Sequence, residues 1–193
     1  MRLDYRLSIT LFKIYMFIFW NYKIIGRNKI FFRDGCIVCA NHQSALDPPF
    51  LGSIMPFECY FMAKAELFKN RFFGALIAHF NAIPVRRFGF SRSTIDFFIE
   101  LLKKKKNVII FPEGSRKSYT AKPGIAKIAW DTNATIYPVQ IKNIKDPKAC
   151  FFRKKRLTFI FKEPMYAQDY KKLFNNNDYK NLANLILNRI NSK

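Results

Sequence analysis

The chain has only two histidines and four cysteines in 193 residues, and 13 acidic side chains against 34 basic ones. Two distant histidines without clustered acids make a poor ligand set for a metal hydrolase. Cys36 and Cys39 have the CxxC spacing of zinc and redox sites, but no second pair follows and both lie in an apolar run. They read as buried strand cysteines, which sets aside a secreted disulfide framework and suggests a reducing compartment. Repeats and long linkers are absent, and the only simple runs are KKKK at 103–106 and NNN at 175–177. No RNP, KH or zinc-finger pattern accompanies the basic charge, so nucleic acid is not the expected partner. Long apolar runs are scarce too. Residues 7–20, LSITLFKIYMFIFW, are broken by Lys13. A helix between Arg6 and Lys23 would span roughly 24 Å, short of the roughly 30 Å hydrocarbon core. No small-residue cleavage site follows, so a signal peptide fits poorly. The expectation is an N-terminal membrane-associating helix within residues 1–28, lying in one leaflet, with a tilted span as the alternative. Trp20 and Tyr22 would sit at headgroup level, and Lys13, Lys23 and Arg27 would face lipid phosphates.

What is present points to a folded domain. Half of the chain is apolar, with 22 phenylalanines, and its length suits one domain with a full core. The net charge of +21 implies an anionic partner, such as a phosphorylated substrate or a negative membrane. Apolar strand-like runs occur at 36–40, 59–63, 81–85, 107–111 and 134–141. Helical signals separate them. Asp47 and Pro48 read as N-cap and first helical position, followed by PPFLGSIM. A helix is expected over 70–80. Ser93 to Asp96 reads as a capping box before a face of Ile95, Phe98, Ile99 and Leu102. GIAKIAWD and a final stretch with Leu182, Leu185, Ile186 and Ile190 read as helices. CFF at 150–152 and RLTFIFKEP read as strands near a sheet edge. Strands alternating with helices argue for one α/β domain, residues 29–193, with a largely parallel sheet. Ligands in such sheets bind beyond the carboxyl ends of strands.

Two polar stretches follow apolar strands. ANHQSALDPPF contains His42 and, five residues on, Asp47. On one helix these would lie roughly 140° apart at about 100° per residue, so they meet only if the chain turns between them. Read alone, His42 is a structural histidine or a base, and Asp47 is a helix cap or the orienter of that base. IIFPEGSRKS contains Glu113, Gly114, Ser115 and Arg116. Arg116 offers a planar fork for phosphate oxygens, and Gly114 permits close backbone approach. Glu113 is suited to pairing with Arg116 or to binding a substrate hydroxyl.

Together, NHQSALD and FPEGSR resemble the glycerolipid acyltransferases, the glycerol-phosphate and lysophosphatidic-acid acyltransferase family that includes the PlsC type. MAKAELF at 62–68, Gly74, NAIPVRR at 81–87, KPGIAKIA at 122–129 and ATIYPVQI at 134–141 agree in order. Asn81 stands where that family usually has glycine, and Ser115 where threonine is common. The resemblance implies the glycerol-phosphate acyltransferase fold. It implies His42 as general base and Asp47 as its orienter. It also implies acceptor binding by Glu113, Gly114, Ser115 and Arg116, with Lys64 and Arg87 as further basic contacts. The implied acceptor is lysophosphatidic acid and the donor is acyl carrier protein or CoA thioester, at the cytoplasmic face of the cell membrane. No metal or other cofactor is implied. Glycerol 3-phosphate, another lysophospholipid and a lyso-aminolipid remain alternative acceptors. A non-enzymatic basic membrane- or nucleic-acid-binding module is the alternative of a different class.

Overall fold

The computed structural model describes residues 2–85 and 91–192. The sheet is built from β1 (Lys23–Ile25), β2 (Ile37–Ala40), β3 (Cys59–Lys64), β4 (Ala82–Val85), β5 (Asn107–Ile110), β6 (Ile136–Lys142) and β7 (Thr158–Phe161). Its spatial order is β1-β7-β6-β2-β5-β3-β4. Every pair is parallel except β6 with β7. The expected α/β domain with a largely parallel mixed sheet is thus present.

The central strands are apolar on both sides because both faces are covered, as parallel sheets require. Val38, Ile109, Tyr137 and Val139 enter one buried cluster. Ile37, Cys39, Val108 and Ile110 enter the other. The first cluster is packed by α1 (Leu3–Trp20), α2 (Asp47–Ile54), α3 (Arg71–His79) and α6 (Pro147–Phe151). The second is packed by α4 (Arg92–Lys103), α5 (Pro123–Thr132), α7 (Ala167–Leu173) and α8 (Tyr179–Asn191). Cys36 lies in the first cluster and Cys39 in the second, with the Cys36 thiol bonded to Asn107 Oδ1. Burial pushes the Cys36 thiol up to about 12. These are packing residues, as their apolar setting predicts.

Two local expectations need correction. CFF is not a strand, because Pro147 starts α6 and the Cys150 amide bonds Asp146 O at 3.0 Å. Proline at the first helical position loses no intrahelical bond, which is why the chain turns helical there. The cap of α4 is Ser91, whose Oγ accepts from the Thr94 amide, and not Ser93. The Ser91 hydroxyl reaches the amide three positions on, so α4 starts at Arg92.

The N-terminal helix also departs from expectation. Tyr5, Ile9, Met16 and Trp20 form a buried stripe against the sheet-side core. Trp20 is 4% exposed and Tyr22 packs against the same cluster, so neither is free for a headgroup region. Arg27, half-buried, donates from Nη1 to the Ile54 carbonyl. No helix among the described residues is long and apolar enough to cross a membrane. The segment 1–28 contributes both α1 and the paired strand β1 to the same fold.

Candidate functional site

The site forms where two neighbouring parallel strands end. Cys39 pairs with Ile110 in the β2–β5 register, and His42 and Glu113 each follow three residues later. The sheet therefore brings side by side two residues that are 71 positions apart. Asn41, between strand and histidine, is buried and bonds the Ile141 backbone twice, at 3.0 and 2.7 Å. This amide side chain imitates a ladder pair with β6 and fixes the exit of β2.

The turn that follows folds Asp47 back on His42. The His42 Nδ1 to Asp47 Oδ2 distance is 2.8 Å. The same oxygen accepts the amides of Gln43 and Ser44 at 2.6 and 2.7 Å. Asp47 is fully buried and is the first residue of α2. Its carboxylate does not cap the helix ahead, and no side-chain cap bond is made there. It organises the loop behind it. The positive end of α2 offsets its charge. Because a carboxylate only accepts, Nδ1 carries the proton, which in the neutral ring leaves Nε2 its lone pair. The ring is 10% exposed and stacks on Phe111 at 4.3 Å between centroids.

His42 lines one apolar cavity of about 280 Å³. Phe12, Phe61, Ile77, Phe80 and Ile109 supply much of its wall. Phe12 and Phe80 meet edge to face at 5.0 Å. Lys64, Gly114 and Arg116 line the same cavity, so cationic side chains share it with the imidazole. Gly114 has φ +68°, a conformation that L side chains rarely adopt. This turns the chain so that Arg116 reaches the cavity.

The other expected residues divide. Glu113 is 7% exposed, and its Oε2 accepts the His42 amide at 2.8 Å. It makes no ion pair with Arg116. Burial pushes its carboxyl up to about 7, opposed by the amides of His42 and Glu113 itself and assisted by the charge of Asp47. Ser115 is half-buried, and its carbonyl accepts the Ser118 amide. Ser44 Oγ accepts the Leu46 amide, while the bond of the His42 ring goes to Asp47. Arg87 lies outside the described residues. Asn81 adopts φ +61°, so asparagine takes the left-handed conformation that glycine would supply. Sequence reasoning missed Asn41, Phe111 and Phe12. The first two flank the motifs directly and were legible as neighbours. Phe12 carried no signal, since its cavity is assembled from distant elements.

The profile of the acyltransferase family matches residues 21–142. A 1-acyl-sn-glycerol-3-phosphate acyltransferase of Bacillus subtilis (strain 168) is 28% identical over 172 residues, covering 88% of this chain and 86% of that protein. The enzyme of the same name from Streptococcus pneumoniae is 36% identical over 155 residues, 79% of this chain and 58% of that one. The crystal structure of the 1-acyl-sn-glycerophosphate acyltransferase PlsC from Thermotoga maritima superposes with a TM-score of 0.66 at 22% identity. It covers 97% of this chain and 80% of its own, and shares the fold. With the paired His42 and Asp47 at the strand end and the profile spanning most of the sheet, this chain belongs to the acyltransferase family.

Proposed function

We propose that the protein moves a fatty acyl group from acyl carrier protein or CoA to the free hydroxyl of lysophosphatidic acid, forming phosphatidic acid. The observation that carries this reading is the His42 imidazole, oriented by buried Asp47, in an apolar cavity shared with Arg116 and Lys64. His42 Nε2 removes the hydroxyl proton as the oxygen attacks the thioester carbonyl. The tetrahedral intermediate collapses, the C–S bond breaks, and the imidazolium returns its proton to the leaving thiolate. Asp47 holds the ring and offsets its transient charge. The apolar cavity takes the acyl chain. Arg116, Lys64 and Arg87 take the phosphate, with Gly114 and Ser115 shaping that turn. Neither metal nor other cofactor is needed for this sequence of steps.

The same reading places the protein on the cytoplasmic face of a membrane. The outward side of α1 exposes Leu7, Leu11, Ile14, Phe17 and Ile18. Phe151 and Phe152 extend it, with Phe19 stacked on Phe151 at 5.9 Å. Arg153 to Arg156 follow directly, a basic rim beside an apolar patch. Such pairing favours anionic lipid surfaces, at about 1 kcal/mol per basic residue close to the surface. Flotation with vesicles containing phosphatidylglycerol should recover the protein, and replacing Phe17, Phe151 and Phe152 by serine should release it. Retention of the triple variant would remove this surface from the reading. The activity itself is tested by acyl transfer from labelled acyl-CoA and acyl-carrier protein to lysophosphatidate. A folded wild type that acylates no lysophosphatidate, while acylating another lysolipid, would change the acceptor.

A further inference from the structure

The geometry points to Glu113 as a positioning residue that clamps the His42 backbone, and not as a ligand of the acceptor. The inference rests on His42 being the base. Three observations carry it. Gly114 and Arg116 line the cavity whereas Glu113 does not. Glu113 is buried and gives Oε2 to the His42 amide at 2.8 Å. Its carboxylate has no ion pair with Arg116 that would turn it toward a bound phosphate.

Physical chemistry favours the same division. A carboxylate beside a phosphate raises the repulsion that Arg116 must overcome, so the anion-binding end is better served without it. A residue on a loop beyond its strand has no ladder partner to fix its backbone. His42 is in that position, past the last paired residue of β2. Its amide would need water or a side chain, and Glu113 supplies the acceptor from the adjacent strand end. The histidine is then held at two points. Glu113 fixes its backbone and Asp47 fixes its ring. Movement of either by a fraction of an ångström would take Nε2 away from the attacking hydroxyl. Burial pushes the Glu113 carboxyl up to about 7, and the bond from the His42 amide works against that rise.

The test uses the full chain and the Glu113→Gln, Glu113→Ala, His42→Ala and Arg116→Ala variants. Acyl transfer to lysophosphatidate gives kcat and KM for each. The glutamine oxygen accepts the same N–H, so Glu113→Gln should keep kcat within about threefold of wild type. Glu113→Ala should lower kcat by about tenfold or more, with acceptor KM within about twofold. Arg116→Ala should raise acceptor KM instead. A Glu113→Ala enzyme with raised KM and unchanged kcat would overturn the clamp in favour of acceptor binding. So would a glutamine variant as impaired as alanine, or an alanine variant equal to wild type. A second readout needs no turnover. In 15N-labelled protein, the His42 amide proton should titrate with Glu113 near pH 7 and lose that titration in Glu113→Gln. If the alanine variant does not fold, the glutamine variant and this resonance still decide. An amide that ignores Glu113 overturns the clamp. A His42→Ala enzyme as active as wild type removes the base reading, while the amide resonance still reports whether the contact exists.

Discussion

The molecule's two histidines each face an aspartate, and only one of the pairs is built for chemistry. His42 meets Asp47 at 2.8 Å with the carboxylate fully buried. His79 meets Asp4 at 3.5 Å with the carboxylate 58% exposed. His79 even has a serine partner, Ser8 Oγ at 2.9 Å from Nε2. By residue type this is the more complete triad. Its surroundings differ. Ser8 sits within α1 and its hydroxyl also bonds the Asp4 carbonyl. Arg2 bonds the His79 carbonyl and pairs with Glu58 nearby. These contacts staple α1 to the end of α3, and exposed pairs of this kind contribute little individually. The His42 pair has a desolvated partner, an aromatic stack and a cavity. Residue identity is shared, and burial with an adjoining cavity makes the difference.

The comparison breaks most visibly at the base. His42→Ala should lower acyl transfer by at least about a hundredfold, within the range of general base catalysis. Asp47→Asn should follow with a loss of about tenfold or more, because an amide cannot offset the imidazolium charge. Wild-type rates in either variant would make the His42 pair no more catalytic than the His79 pair.

The next effect is on stability. Glu113 is raised from 4.5 to about 7 in the fold, so the folded state holds its proton more tightly than the unfolded chain. Its contribution is fully present below pH 4.5 and is lost as pH rises through about 7. The difference is at most roughly 3 kcal/mol between those limits. Denaturant unfolding of wild type and Glu113→Gln across this range should show the slope only in wild type. Parallel curves would mean that the carboxyl is solvated in the fold.

Smaller is the acceptor contact. Arg116→Ala should raise the KM for lysophosphatidate by about tenfold, as expected for a charge-assisted bond of about 1.5 kcal/mol. An acceptor without phosphate should be indifferent to the change. Smallest is the staple. His79→Ala should leave kcat within about threefold and cost no more than about 1 kcal/mol in unfolding experiments. A large loss of activity there would mean that the placement of α1 along the cavity governs turnover.

Legibility follows the range of the interactions. Strands such as NVIIF and the final helix were plain because burial on two faces or one stripe leaves a periodic trace. The motif residues His42, Asp47 and Arg116 were readable by type and spacing. The roles of Asp47 and Glu113 were less so. Asp47 has the local signature of a cap, and only the turn shows that its Oδ2 faces backward to the His42 ring and the Gln43 and Ser44 amides. Glu113 has the signature of a surface ion pair, and only the β2–β5 register gives its carboxylate to His42. Trp20 likewise looked suited to an interface but closes the core.

The alternation of strands and helices, the strand-end placement of the polar motifs and the excess of positive charge are written in the chain. These depend on covalent neighbours and on apolar periodicity. Folding adds which carboxylate meets which histidine, how Phe12 reaches the cavity, and the left-handed backbone of Asn81. Those outcomes depend on pairing between segments tens of residues apart, where hydrogen-bond direction and burial are set by the partner strand or helix and leave no trace in the local pattern.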